Sequence, residues 1–206
     1  MKTTLKIITL FFSLIFCASI FAANEPPPLA MLRSTANTLI SELNRHQGNL
    51  KGNDTLMHSI IRRIILPHFD IVSMSQAVVG RTYWQSATPV VQKEFVREFT
   101  TYAIRTYSGA LESYNGQQVK FYPIRGYNNS RNQVQVSSDV LQANGPAIAV
   151  SYRLYNRGGN WVVYDFNVEG VSFTQNYRSQ FSSPLRRGGL AGLVQDIKSH
   201  NQGGRS

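Results

Sequence analysis

Four consecutive segments of alternating apolar and polar residues, joined by short turns, most constrain what this chain can fold into. They span residues 118–125, 131–141, 147–156 and 160–169. In the second, Val134, Val136 and Val140 alternate with Gln133, Gln135 and Asp139. In the third, Ile148, Val150, Tyr152 and Leu154 fall on one face, and in the fourth Val162, Tyr164, Phe166 and Val168 do so. The links Gly126-Tyr127-Asn128-Asn129-Ser130, Asn144-Gly145-Pro146 and Arg157-Gly158-Gly159 are too short for crossover connections. Alternation at period two with short links predicts an antiparallel meander of four strands, or slightly more. Such a sheet has one apolar face, which other elements must cover.

The flanking segments supply the cover. Residues 29–45 carry Leu32, Ala36, Leu39, Ile40 and Leu43 at helical spacing, and a second helix carries Met57, Ile60, Ile61, Ile64 and Ile65 until Pro67 stops it. A short helix over 69–79 ends at Gly80, with Asp70 as a cap. Thr88-Pro89 opens a long helix reaching about residue 114. Its wide aromatic face of Val91, Phe95, Phe99, Tyr102, Ala103, Thr106, Tyr107, Ala110 and Tyr114 suits burial on both a sheet and another helix. After Gly170, Ser172 caps a helix bearing Phe173, Tyr177 and Phe181. Gly188-Gly189 precedes a last one bearing Leu190, Leu193, Val194 and Ile197. The expected class is α+β, an antiparallel sheet covered by N- and C-terminal helices.

The first 23 residues read differently. Lys2 and Lys6 precede an apolar run from Ile7 to Phe21 and the small pair Ala22-Ala23, the pattern of a secretory signal peptide. The run is short for a membrane span, which needs about 20 residues, and Asn24-Glu25-Pro26-Pro27-Pro28 breaks it. The only cysteine, Cys17, leaves with the leader, so the exported chain forms no disulfide and no thiolate site. One domain is expected over 24–200, with a disordered tail over 201–206. Loss of Lys2 and Lys6 lowers the formal charge from +10 to +8. A basic exported protein meets anionic lipid or acidic partners sooner than nucleic acid.

Catalytic patterns are missing. His46, His58, His68 and His200 have no metal-ligand spacing, and no nucleophile elbow, phosphate loop or dinucleotide fingerprint is present. Asp70, Asp139, Asp165 and Glu169 are the carboxylates a hydrolase would draw on, and each has a structural reading. No enzyme, cofactor or metal is therefore expected. The 10 Tyr, 11 Phe and 2 Trp fit either a filled aromatic core or an apolar cavity between the long helix and the sheet, because wall and core look alike in sequence.

Four segments carry a resemblance. They are the run from Phe69 to Arg81, the run Trp161-Val162-Val163-Tyr164-Asp165-Phe166-Asn167-Val168-Glu169-Gly170-Val171-Ser172, Tyr177-Arg178-Ser179-Gln180-Phe181, and Gly189-Leu190-Ala191-Gly192-Leu193. Together, and in order, they resemble the toluene-tolerance family of periplasmic phospholipid-binding proteins. Gly80-Arg81-Thr82-Tyr83-Trp84 is one residue longer than the family's corresponding run.

The resemblance implies a monomeric phospholipid carrier in the periplasm of a Gram-negative bacterium, with no cofactor besides its cargo. It would hold acyl chains in an apolar pocket and leave the head group in solvent. It would move lipid between an inner-membrane ABC transporter complex and an outer-membrane lipoprotein–porin complex, maintaining outer-membrane asymmetry. On this reading Phe95, Phe99, Tyr102 and Thr106 form one wall, opposite Val150, Tyr152, Tyr164, Phe166 and Val168. Val171, Phe173 and Tyr177 close one end, and Met74 and Val78 line another. Arg81, Arg178, Arg186 and Arg187 are candidates for head-group or docking contacts. The competing reading is a basic periplasmic adaptor that binds no ligand.

Overall fold

A computed structural model describes residues 25–203; the expected leader and the last three residues lie outside it. Helix α1 (Pro27–Arg45) comes first, with prolines at its start where the missing N–H costs nothing. Helix α2 (Asp54–Ile60) is capped by the Asn53 side chain, which accepts from Leu56 N at 3.1 Å. Its continuation is not the regular helix expected from the isoleucine spacing. Residues Ile61–Ile65 widen into a π turn and Leu66–His68 tighten into a 3-10 turn before the chain leaves. With the wider turn Ile60, Ile61 and Ile64 are all buried in one cluster.

Helix α3 (Ile71–Val79) starts two residues later than its apolar pattern allows. Phe69 forms an isolated parallel bridge with Val163, and Asp70 N donates to Val163 O at 2.8 Å. The Asp70 carboxylate then caps α3, accepting from Ser73 N at 3.1 Å, and from Ser73 Oγ and the Tyr155 hydroxyl. Gly80 ends the helix at φ 78°, the left-handed region that favours glycine. A six-residue α4 (Arg81–Ser86), which carries no periodic signal, fills the link to α5 (Pro89–Glu112). Thr88 caps α5 as expected.

The sheet is β1 (Gln118–Phe121), β2 (Gln133–Leu141), β3 (Ile148–Arg157), β4 (Asn160–Val168) and β5 (Val171–Ser172), antiparallel throughout and in chain order. Strand β1 is shorter than its expected range because Pro123 follows closely and cannot donate to a ladder. The fifth strand adds a two-residue hairpin, with Glu169 and Gly170 both at positive φ, the geometry of a type I′ turn. Cross-strand rows on the inner face run Val134–Leu154–Val163 and Val136–Tyr152–Phe166.

One bulge changes the reading of β4. Leu154 pairs with Val163 and Arg153 with Asp165, so Tyr164 is the extra residue. Val162, opposite Tyr155, therefore lies on the face away from Phe166. Tyr164 packs its ring 6.0 Å from Tyr155, off the inner row where strict alternation places it.

Helix α6 (Phe173–Gly203) starts at Asp165, which accepts from Ser172 Oγ at 2.8 Å and from Thr174 N at 3.1 Å. A carboxylate at a helix start is favoured by the helix dipole. The expected break at Gly188-Gly189 is present as a kink: Gly189, at φ 61° and ψ −163°, separates two helical stretches within α6. The tail does not begin at 201. Asn201 is buried and its Nδ2 donates to Glu98 O at 3.0 Å and Glu98 Oε2 at 2.9 Å, which holds the helix end on α5.

The capping bonds at Asp70 outweigh the burial that would raise its pKa, and they hold it below the ordinary aspartate value. Stability from this group is present above that ordinary value and lost as pH falls through the lowered one. Asp70→Asn should cost about 1–2 kcal/mol at neutral pH. In urea unfolding, its gap from the wild type should close as the medium is acidified.

Candidate functional site

Buried apolar side chains form three clusters that do not merge. The first joins α3, α5 and α6 through Met74, Val78, Phe95, Phe99, Phe173, Tyr177 and Phe181. The second joins α1 to the sheet through Leu29, Leu32, Phe121, Val136, Leu154, Trp161 and Val163. The third joins α1, α2 and the π turn to Ile104 of α5. A domain of this size usually has one contiguous core.

The border between the first two clusters runs across the inner face of the sheet. Tyr152 packs with the α1 cluster and its cross-strand neighbour Phe166 with the helical one. The side chains along this border are only partly buried: Val150, Tyr152, Phe166 and Val168 on the sheet, and Ala103 on α5. Tyr107 of α5 is 36% exposed and also faces it. Rings join the sheet to the helices at Phe166–Phe173 (4.8 Å, stacked), Tyr107–Phe173 (5.8 Å) and Tyr107–Phe166 (6.3 Å), and Phe69, 6.0 Å from Phe166, packs against both clusters. The result is an apolar seam between sheet and helices, closed mainly by ring contacts.

The expected wall residues divide accordingly. Val150, Tyr152, Phe166, Val168 and Phe173 lie along the seam. Phe95 and Phe99 do not form its wall: they stack on each other at 5.4 Å and pack against α3 and α6. Met74, Val78 and Tyr177 belong to the same helical interior, and Tyr102 packs its ring on Tyr177 at 5.8 Å. Thr106 is exposed, and Val171, expected to close one end, is 59% exposed on the last hairpin. The helix turns its widest apolar stripe to other helices, so its narrower side, with Ala103 and Tyr107, faces the sheet. Tyr107 and Phe121 are the seam neighbours that the sequence reading did not select. Tyr107 stands within the aromatic stripe of α5, and Phe121 alternates with Val119 on β1.

Electrostatically the seam is neutral. Burial pushes the phenols of Tyr107 and Tyr152 up and that of Tyr177 to about 12, so all three remain protonated near neutrality. The four carboxylates that hydrolysis would need hold the frame together. Asp70 and Asp165 cap helices, Asp139 accepts from Tyr122 Oη, and Glu169 accepts from Ala149 N. Two hollows lie elsewhere, one of about 560 Å³ beside Tyr122–Arg125 and one of about 490 Å³ between Pro27, His68 and Trp161. Among the described residues no helix is long and apolar enough to cross a membrane.

The family model for MlaC protein matches residues 33–199, nearly all of the described chain. The chain belongs to the MlaC family. Toluene tolerance protein Ttg2D of Pseudomonas putida is 27% identical over 162 residues, covering 79% of this chain and 74% of that protein. The intermembrane phospholipid transport system binding protein MlaC of Haemophilus influenzae is 24% identical, covering 84% and 81%. A phospholipid-binding protein from Ralstonia solanacearum, solved in complex with a phospholipid, superposes with a TM-score of 0.80 at 29% identity. That match covers 86% of this chain and 98% of the other. The family resemblance and the α+β architecture both hold.

The division between interior and seam is measurable. Phe95→Ala should lower the unfolding free energy by roughly 3–5 kcal/mol, as for a fully buried ring. Phe166→Ala, at a partly exposed position, should cost less than half as much in the same denaturation experiment.

Proposed function

We propose that this protein is a phospholipid carrier of the periplasm whose seam opens to take acyl chains while the head group stays in water. A single combination supports this reading. An apolar, carboxylate-free seam runs through a fold shared along nearly its whole length with a protein solved in complex with a phospholipid.

The energetics permit opening. Each ring pair across the seam is worth about 0.5–1.5 kcal/mol beyond its buried area, so the three pairs amount to a few kcal/mol. Each methylene moved from water into the seam returns about 0.8 kcal/mol. Ten buried methylenes outweigh the rings they displace. Opening is feasible because parting the helices from the sheet releases Phe166 of β4 from the helical cluster while the buried residues of that cluster, all on helices, stay packed.

Exchange with membrane complexes needs a docking face as well. Neither α3, α4 nor α6 up to Gln195 carries a carboxylate, whereas Arg81, Arg178, Arg186 and Arg187 are exposed on them. Arg178 folds its guanidinium against Gly80, where a Cβ would come within 3.2 Å of Nη2. These exposed arginines, free of nearby carboxylates along their helices, suit acidic surfaces on an inner-membrane transporter complex and an outer-membrane lipoprotein–porin complex. Delivery between the two would maintain outer-membrane lipid asymmetry.

Gentle purification followed by lipid extraction and mass spectrometry should recover about one phospholipid per chain. Val150→Glu should preserve the circular dichroism spectrum and abolish lipid recovery, because the charge would face acyl chains. Wild-type protein that carries no lipid and takes none from vesicles would instead favour a basic adaptor.

A further inference from the structure

The inward row of β2 reads Val134, Val136, Ser138, Val140, so one hydroxyl interrupts an apolar face. Ser138 lies between Phe121 of β1 and Val150 of β3 and is 1% exposed. Its Oγ is buried without a hydrogen-bond partner. Three other buried side-chain atoms among the described residues share that condition, His58 Nε2, Ser75 Oγ and Asn201 Oδ1, and all belong to helices. Ser138 alone among them sits on the sheet, between the packed Val136 and the part-exposed Val140 and Val150. A buried hydroxyl left unpaired costs stability, and valine, which occupies the rest of the row, would avoid that cost.

Tyr152 is the diagonal neighbour of Ser138 on β3, close enough across the sheet for long side chains to meet. Its ring lies 6.4 Å from that of Phe121, the β1 residue opposite Ser138, and its phenol comes near enough to the Ser138 hydroxyl to interact with it without reaching hydrogen-bond geometry. Two hydroxyls thus stand together on an otherwise apolar seam. Acyl chains need no polar partner. The ester carbonyls that join them to glycerol do, because an acceptor drawn into an apolar site loses its water.

We propose that Ser138 and Tyr152 form a polar seat that donates hydrogen bonds to the ester carbonyl oxygens of a diacyl lipid held in the seam. This inference rests on the carrier reading and extends it: recognition is of the acyl ester linkage, not of the head group. Burial keeps the Tyr152 phenol protonated, hence a donor, throughout the neutral range.

The test offers wild-type protein, Tyr152→Phe, Ser138→Ala and the double variant equimolar diacyl and dialkyl ether phosphatidylethanolamine in mixed vesicles. Bound lipid is then quantified by mass spectrometry. The ether lipid keeps the chains and head group but lacks both carbonyls. Wild-type protein should favour the diacyl lipid by about tenfold, the effect of one to two net hydrogen bonds, and the double variant should fall to near parity. Ser138→Ala should melt no lower than the wild type, since it removes an unpaired hydroxyl; a lower melting point would assign Ser138 a purely structural role and overturn the seat. Equal uptake of both lipids by the wild type, or an unchanged preference in the double variant, would remove the seat and leave the carrier reading standing. Uptake of neither lipid by the wild type would sink both.

Discussion

The stacked pair Phe166–Phe173 is the contact on which the architecture turns, because it joins the sheet to the helical half at 4.8 Å. Phe173 continues into Tyr177 at 4.9 Å and Phe99 at 5.9 Å, so the ring series reaches the centre of the α3–α5–α6 cluster. On the other side Phe166 is opposite Tyr152, which belongs to the α1–sheet cluster. A junction made of a few rings, each worth little on its own, lets two well-packed bodies share one boundary without fusing into one core.

Polar side chains hold the parts in register around that junction. Asp165 fastens the start of α6 to β4, so the helix bearing Phe173 begins where the sheet ends. Asp70 fastens α3 to the same strand at Val163, further along the edge that β5 occupies, with Tyr155 completing its shell. Asn201 fastens the far end of α6 to Glu98 of α5. The groups that a search for catalysis would first select are thus those that fix helices to the frame, and the boundary between the bodies is left apolar.

Most of the elements were legible in the sequence because their signals are local. Alternation identified β2 and β3, Thr88-Pro89 marked the start of α5, and Ser172 marked that of α6. Where reading failed, the cause lay outside the segment. The π turn after Ile60 answers to burial against α1 and α5, and α4 is six residues long without a periodic face. Tyr164 left its row because a bulge adds one residue to β4 opposite β3. The sheet residues Val150, Tyr152, Phe166 and Val168 share the inner face that alternation along a strand shows. Phe95 and Phe99 pack among helices and not on the sheet, which one amphipathic stripe does not show, because it does not say which neighbour it packs against.

By itself, then, the sequence determined the α+β class, the antiparallel meander, the family resemblance and the basic character of the chain. These follow from periodicity, turn chemistry and composition, which are properties of neighbours along the chain. Only the tertiary structure decided that the apolar interior is three clusters, that the border between two of them falls between Tyr152 and Phe166 on the inner face of the sheet, and that the Ser138 hydroxyl is buried beside it without a hydrogen bond. Those facts depend on which faces meet in space. Burial of an apolar side chain is rewarded alike against a sheet, a helix or a ligand, so the pattern of apolar residues alone cannot choose among them.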